Sequence, residues 1–103
     1  MSAASPAPTL ERLISLKNKH GLHMRPAQRV VETAIKFKSD VRVVKDKLNL
    51  NAKSILDMIE FAEHMVLRSE KNDNEFTFQA NGPDAAQALD ALEQLVNDRF
   101  GLE

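Results

Sequence analysis

Asp40-Val41-Arg42-Val43-Val44-Lys45, then Asp46, then Lys47-Leu48-Asn49-Leu50-Asn51, is the stretch on which the fold turns. Its first arm has mostly alternating character and its second alternates cleanly, as half-buried strands do. Asp46 sits between them at a tight turn, so the pair reads as a β-hairpin. The turn lacks glycine, which leaves its type open. A hairpin makes these two strands antiparallel and favours an α+β layer over alternating parallel units.

Working outward, Arg12-Leu13-Ile14-Ser15-Leu16-Lys17 reads as a first strand and Asn18-Lys19-His20-Gly21 as a loop. Pro26 suits the first turn of a helix, where its missing N–H costs nothing. That helix runs to about Phe37, with Ala27, Val30, Val31, Ala34 and either Phe37 or Ile35 at core-facing spacing. Beyond the hairpin, Ser54 precedes a second helical stripe of Ile55, Met58, Ile59, Ala62, Met65 and Val66. Ser54 with Asp57 resembles a capping box, with a shorter acid than usual. Ser69 to Asn74 is a polar loop, and Glu75-Phe76-Thr77-Phe78-Gln79-Ala80 an alternating strand. Asn81-Gly82-Pro83-Asp84 is a dense turn signal. A third helix to about Phe100 carries Ala85, Leu89, Leu92, Leu95, Val96 and Phe100 inward. The order is β-α-β-β-α-β-α: an antiparallel sheet with helices on one face.

The 103 residues are 43% hydrophobic and 28% charged, which suits one folded domain with a modest core. Residues 1–9 read as a disordered Ala/Ser/Pro leader and 10–103 as the domain; the opening lacks the basic and apolar regions of a secretory signal. Fourteen basic against fifteen acidic side chains give no general polyanion-binding signal. The absence of cysteine excludes disulfides, thiolate metal sites and thiol nucleophiles, and fits the cytoplasm. No apolar run approaches the ~20 residues that span a bilayer.

Chemistry concentrates in Gly21-Leu22-His23-Met24-Arg25-Pro26-Ala27. His23 stands at the mouth of the first helix, where backbone N–H groups lack intrahelical acceptors and the dipole adds positive character. Arg25 adds a guanidinium suited to phosphate oxygens. An imidazole with a reference pKa of ~6.5 offers a neutral nucleophilic nitrogen near pH 7. These parts can hold a phosphoryl group on a histidine ring. Spacing alone favours a loop or capping histidine making an ordinary hydrogen bond.

The same stretch resembles the active-site signature of HPr, the histidine-containing phosphocarrier family of the bacterial phosphoenolpyruvate-dependent sugar phosphotransferase system. Glu32-Thr33-Ala34-Ile35-Lys36-Phe37-Lys38-Ser39-Asp40-Val41 resembles the family's helix end and second strand. Asn51-Ala52-Lys53-Ser54-Ile55-Leu56 is similar to its second signature, and Asn81-Gly82-Pro83-Asp84-Ala85 to its last turn. The resemblance implies an open-faced β-sandwich of four antiparallel strands covered on one face by three helices. It implies a phosphoryl carrier rather than an enzyme, with His23 as acceptor through Nδ1 and Arg25 beside the phosphate. The implied donor is phospho-enzyme I and the implied acceptors are sugar-specific enzyme IIA domains, with no metal or organic cofactor. Ser54 matches a serine phosphorylated by an ATP-dependent kinase in many relatives; its position also makes it a helix N-cap, and the two roles are compatible. Ile55, Leu56 and Ile59 match an apolar docking patch, and Met24 joins them as an adaptable contact. Ile55 and Ile59 share the helical stripe and so compete for the core, whereas Leu56 lies off it.

Two features depart from the family pattern. Asp57, Glu60 and Glu63 make the second helix acidic, and Phe61 to Asn74 is several residues longer than usual. These bear on which partner docks, since such partners recognise charge. His20 lies near His23, and His64 reads as a surface residue; neither belongs to a metal-ligand set. A monomer is expected. A regulatory paralogue that signals through its phosphate instead of feeding sugar uptake is the alternative within the fold. RNA binding would need aromatics on the sheet and a basic surface; Phe76 and Phe78 alternate on one strand, but the first three strands carry no aromatic. A hydrolase lacks a nucleophile set beside a base.

Overall fold

A computed structural model describes residues 9–16 and 24–101, apart from the Met24 side chain. Strand β1 (Leu10–Ser15) is followed by helix α1 (Met24–Ala34), strands β2 (Asp40–Lys45) and β3 (Leu48–Asn51), helix α2 (Ile55–Ser69), strand β4 (Glu75–Asn81) and helix α3 (Ala85–Asn97). A short 3₁₀ turn, Arg99–Gly101, closes the described chain. The four strands form one antiparallel sheet in the order β1-β4-β2-β3. This is the expected α+β arrangement. The first strand begins two residues earlier than its alternation suggests, because Leu10 pairs with Ala80 at the far end of β4. Of the expected leader, only Thr9 lies within the described residues.

The hairpin turn is Asp46-Lys47, with Lys45 opposite Leu48. Asp46 takes a φ of 54°, a left-handed conformation that Asp tolerates better than most residues. Alternation sorts the strands into two faces. Ile14, Val41, Val43, Phe76, Phe78 and Ala80 face the helices and are buried, while Glu11, Leu13 and Ser15 stand on the open face. Phe76 stacks edge-on with Phe78 and with Phe61 of α2, at centroid distances of 5.0 and 5.4 Å. These rings are core, so neither strand phenylalanine is available to stack on a base.

In α1 the stripe Ala27, Val30 and Ala34 is fully buried. Phe37 continues it from beyond the helix end, packed against the core, while Ile35 is exposed. In α2 the buried stripe is Met58, Phe61, Ala62 and Met65, at helical spacing i, i+3, i+4, i+7. This corrects the expected stripe: Ile55 and Val66 are exposed, and Phe61 takes their place inside. A pure periodicity count admits either rotation of the helix. The large ring of Phe61 decides it, since its burial against Phe76 removes more apolar surface from water than an aliphatic chain would.

A polar junction ties the segment after α1 to the start of α3. Ser39 is the buried polar residue of the described chain. Its hydroxyl donates to Asp84 Oδ1 at 2.6 Å and accepts from the Asp84 N–H at 3.1 Å. Asp84 also accepts the backbone N–H groups of Lys38 and Ser39 at 2.9 Å each. The Ser39 hydroxyl, followed by these backbone donors, holds the Asp84 carboxyl down at about 2. Gly82 completes the junction: at φ 147° a Cβ would sit 2.6 Å from Ser39 Oγ and 2.7 Å from its Cα.

Candidate phosphoryl site and its docking helix

Helix α1 begins at Met24, directly after His23, and places Arg25 and Pro26 in its first turn. His23 itself lies outside the described residues, as do His20 and the Met24 side chain. Arg25 is exposed and forms no hydrogen bond or ion pair with the described residues. The first turn of α1 contains no acidic residue. A cation at the positive end of a helix dipole is mildly unfavourable in a resting protein. Brought to the same place, a dianion meets both the dipole and the guanidinium.

The start of α2 is built differently. Ser54 is the N-cap, with extended backbone, and its hydroxyl accepts the Asp57 N–H at 3.2 Å. Asp57 does not close the reciprocal half of a capping box. Its Oδ2 accepts the Asn51 N–H at 3.0 Å instead, clamping the end of β3. The shorter Asp side chain reaches the preceding strand, while Asn51 Oδ1 accepts the Lys53 N–H at 2.9 Å. Lys53 Nζ donates to the Phe37 carbonyl at 2.6 Å and so ties this turn to the segment after α1.

Among the expected docking residues, Leu56 is 76% exposed and Ile55 37% exposed, while Ile59 is half-buried. The surface position expected of His64 holds, but its partners were not legible in the sequence. His64 Nε2 lies 2.8 Å from Asp46 Oδ2 of the hairpin turn. Arg68 Nε approaches the same oxygen at 3.6 Å, and Arg68 Nη2 bonds Asp73 Oδ2 at 2.9 Å. Lys45 Nζ bonds Asp73 Oδ1 at 2.7 Å. The hydrogen bond from Lys45, with that from Arg68, brings the Asp73 carboxyl down to about 2. The His64 hydrogen bond lowers the Asp46 carboxyl. No group of three or more potential metal ligands occurs among the described residues.

Residues 10–98 match the family described as the PTS HPr component phosphorylation site. The chain belongs to the HPr family. It is 36% identical over 92 residues to the phosphocarrier protein HPr of Neisseria meningitidis, covering 89% of this chain and 96% of that one. It is 38% identical over 89 residues to a multiphosphoryl transfer protein of Vibrio cholerae, of which this chain spans 20%. Among solved structures, an HPr from Thermoanaerobacter tengcongensis superposes with a TM-score of 0.76 at 37% identity, covering 91% of this chain and 98% of that one. The HPr fold therefore accounts for the sheet order and the one-sided helical layer. No helix among the described residues is long and apolar enough to cross a membrane.

Proposed function

We propose that this HPr-family chain carries a phosphoryl group on His23, taking it from phospho-enzyme I and passing it to enzyme IIA domains in the cytoplasm. The observation that supports the reading is Arg25: exposed, with no partner among the described residues, and set in the acid-free first turn of α1, one residue beyond Met24. In the transfer, the neutral Nδ1 lone pair of His23 forms an N–P bond as the bond from phosphorus to the donor histidine breaks. The donor imidazole leaves with the electron pair. The α1 amides and Arg25 stabilise the charge on the phosphoryl oxygens. The second transfer reverses the roles, so the phosphohistidine must remain reactive. No metal or organic cofactor enters either step.

Met24, Ile55, Leu56 and Ile59 supply the apolar part of the docking surface in this reading. Ser54 is its regulatory site for an ATP-dependent serine kinase. A phosphate there would lie beside Asp57 and add charge to the docking face.

The test is incubation of the full chain with enzyme I and labelled phosphoenolpyruvate, followed by addition of IIA domains. The expected result is one acid-labile label per chain, lost in the His23→Ala variant and discharged by a IIA domain. A wild-type chain that takes no label, or a His23→Ala chain that keeps it, overturns the reading. A labelled chain that no IIA domain discharges replaces sugar uptake with signalling.

A further inference from the structure

The turn into α2 already holds a negative charge. Ser54 is half-buried, and its hydroxyl accepts the Asp57 N–H at 3.2 Å. The carboxylate of the same Asp57 accepts the Asn51 N–H at 3.0 Å and holds the end of β3 against the helix. The Ser54 N–H donates to the Asn51 carbonyl at 3.1 Å, which closes the turn from the other side. Lys53 is the one cation between positions 51 and 57, and its Nζ is committed to the Phe37 carbonyl at 2.6 Å. A phosphate on a bare helix N-cap gains from free amides and the helix dipole. Here it would stand beside a carboxylate that has taken the adjacent place, with the neighbouring cation engaged elsewhere. Two anions sharing one helical turn disfavour each other.

We propose that phosphorylation of Ser54 opens the Asn51–Asp57 clamp and loosens the junction of β3 with α2, and that Asp57 is the residue that sets this sign. The inference rests on the regulatory reading of Ser54 above and adds what the phosphate does to the fold. In the modification, Ser54 Oγ forms a bond to the γ-phosphorus of ATP as the bond from that phosphorus to ADP breaks. ADP leaves with the electron pair, and the hydroxyl proton passes to a base on the kinase. The dianion then repels the Asp57 carboxylate. Asp57 relieves the repulsion by turning away, which releases the Asn51 amide. Lys53 reaches the phosphate only by leaving the Phe37 carbonyl, which ties the turn to the segment after α1. Either response frees a backbone group that the unmodified chain satisfies, at a cost in stability. The phosphate thus acts through the order of the turn as well as through its charge.

The test encodes phosphoserine in place of Ser54 in the full chain, in the wild-type and Asp57→Asn backgrounds. Asparagine keeps a side-chain oxygen for the Asn51 amide and removes the charge. At about pH 7.5, phosphorylation is expected to lower the wild-type thermal midpoint by about 5 °C and to raise that of Asp57→Asn. Hydrogen exchange of the Asn51 amide should quicken about tenfold in the phosphorylated wild type. Both wild-type effects should shrink at about pH 5.5, because the second pKa of the phosphate is about 6 and one of its two charges is then largely lost. Ser54→Asp is no substitute, since its singly charged carboxylate takes the hydroxyl's own place as the cap. An unchanged or higher midpoint in the phosphorylated wild type overturns the inference. So does an equal change in both backgrounds, or a wild-type loss that is the same at both pH values. Because the phosphoserine is encoded, these outcomes do not depend on a kinase. Treatment of the unmodified chain with a serine kinase and ATP is a separate arm, in which the absence of label on Ser54 overturns the regulatory reading alone.

Discussion

At the start of α2, Ser54 receives the Asp57 amide and Asp57 receives the Asn51 amide, so that strand, turn and helix satisfy one another. At the start of α1, Arg25 is exposed, without a partner among the described residues, and no acid shares its turn. The start of α3 resembles α2 in outcome but not in design: Asp84 turns its carboxylate back to Ser39 and Lys38 rather than onto its own helix. Two helix starts are thus used up in holding the fold, and at the third no described residue pairs with the cation. Internally satisfied polar groups stabilise a structure and have little left for a ligand. A helix start meant to receive an anion must leave donors unused, at a small cost in stability.

The sharpest challenge to the structural half of this contrast is Gly82→Ala. The new Cβ would collide with the Ser39 backbone at a φ that L-residues rarely adopt. A loss of about 3 kcal/mol or more is expected in chemical denaturation. Arg25→Ala tests the other half. It should slow phosphoryl transfer by about 10- to 100-fold, the worth of one charge-assisted hydrogen bond. Its thermal midpoint should not fall, because the cation has no partner to lose among the described residues. Ser54→Ala removes a cap and should cost about 1 kcal/mol, with Ser54→Asp restoring most of it.

Acid titration reads a smaller part of the contrast. The Asp84 and Asp73 carboxyls lie at about 2 in the folded chain, below the ordinary value of 3.8. Their contribution is therefore present above pH ~4 and declines as the pH falls through the folded values near 2. Denaturant midpoints measured from pH 5 downward should fall, and the slope should flatten in Asp84→Asn. The smallest effect is a gain. Arg25→Gln should stabilise the chain by a few tenths of a kcal/mol, about 0.3, because it takes a positive charge from the positive end of α1.

Element order and the α+β layer were legible because hydrophobic alternation and the turn residues around Asp46 and Gly82 encode them locally. The signature around His23 was equally legible, since its residue types are contiguous. The rotation of α2 was not, because Ile55-Met58-Ile59 and Met58-Phe61-Ala62 are both acceptable stripes. Phe61 wins by meeting Phe76, a residue 15 positions away in sequence. The half-open capping box escaped for the same reason: Asp57 is attracted to Asn51, whose amide becomes available only when β3 ends beside the helix. The carboxylates that fix His64 and Arg68 come from the hairpin turn and the loop before β4, which no helical periodicity connects.

Sequence by itself determined which residues alternate, where the chain turns and which helix start carries histidine and arginine, because those properties reside in neighbouring side chains. Tertiary structure decided which polar groups are consumed and which remain free. That distinction depends on distance: Asp84 is occupied because Ser39 folds against it, and Arg25, Glu60 and Glu63 stay available because no described residue of opposite charge comes within bonding reach.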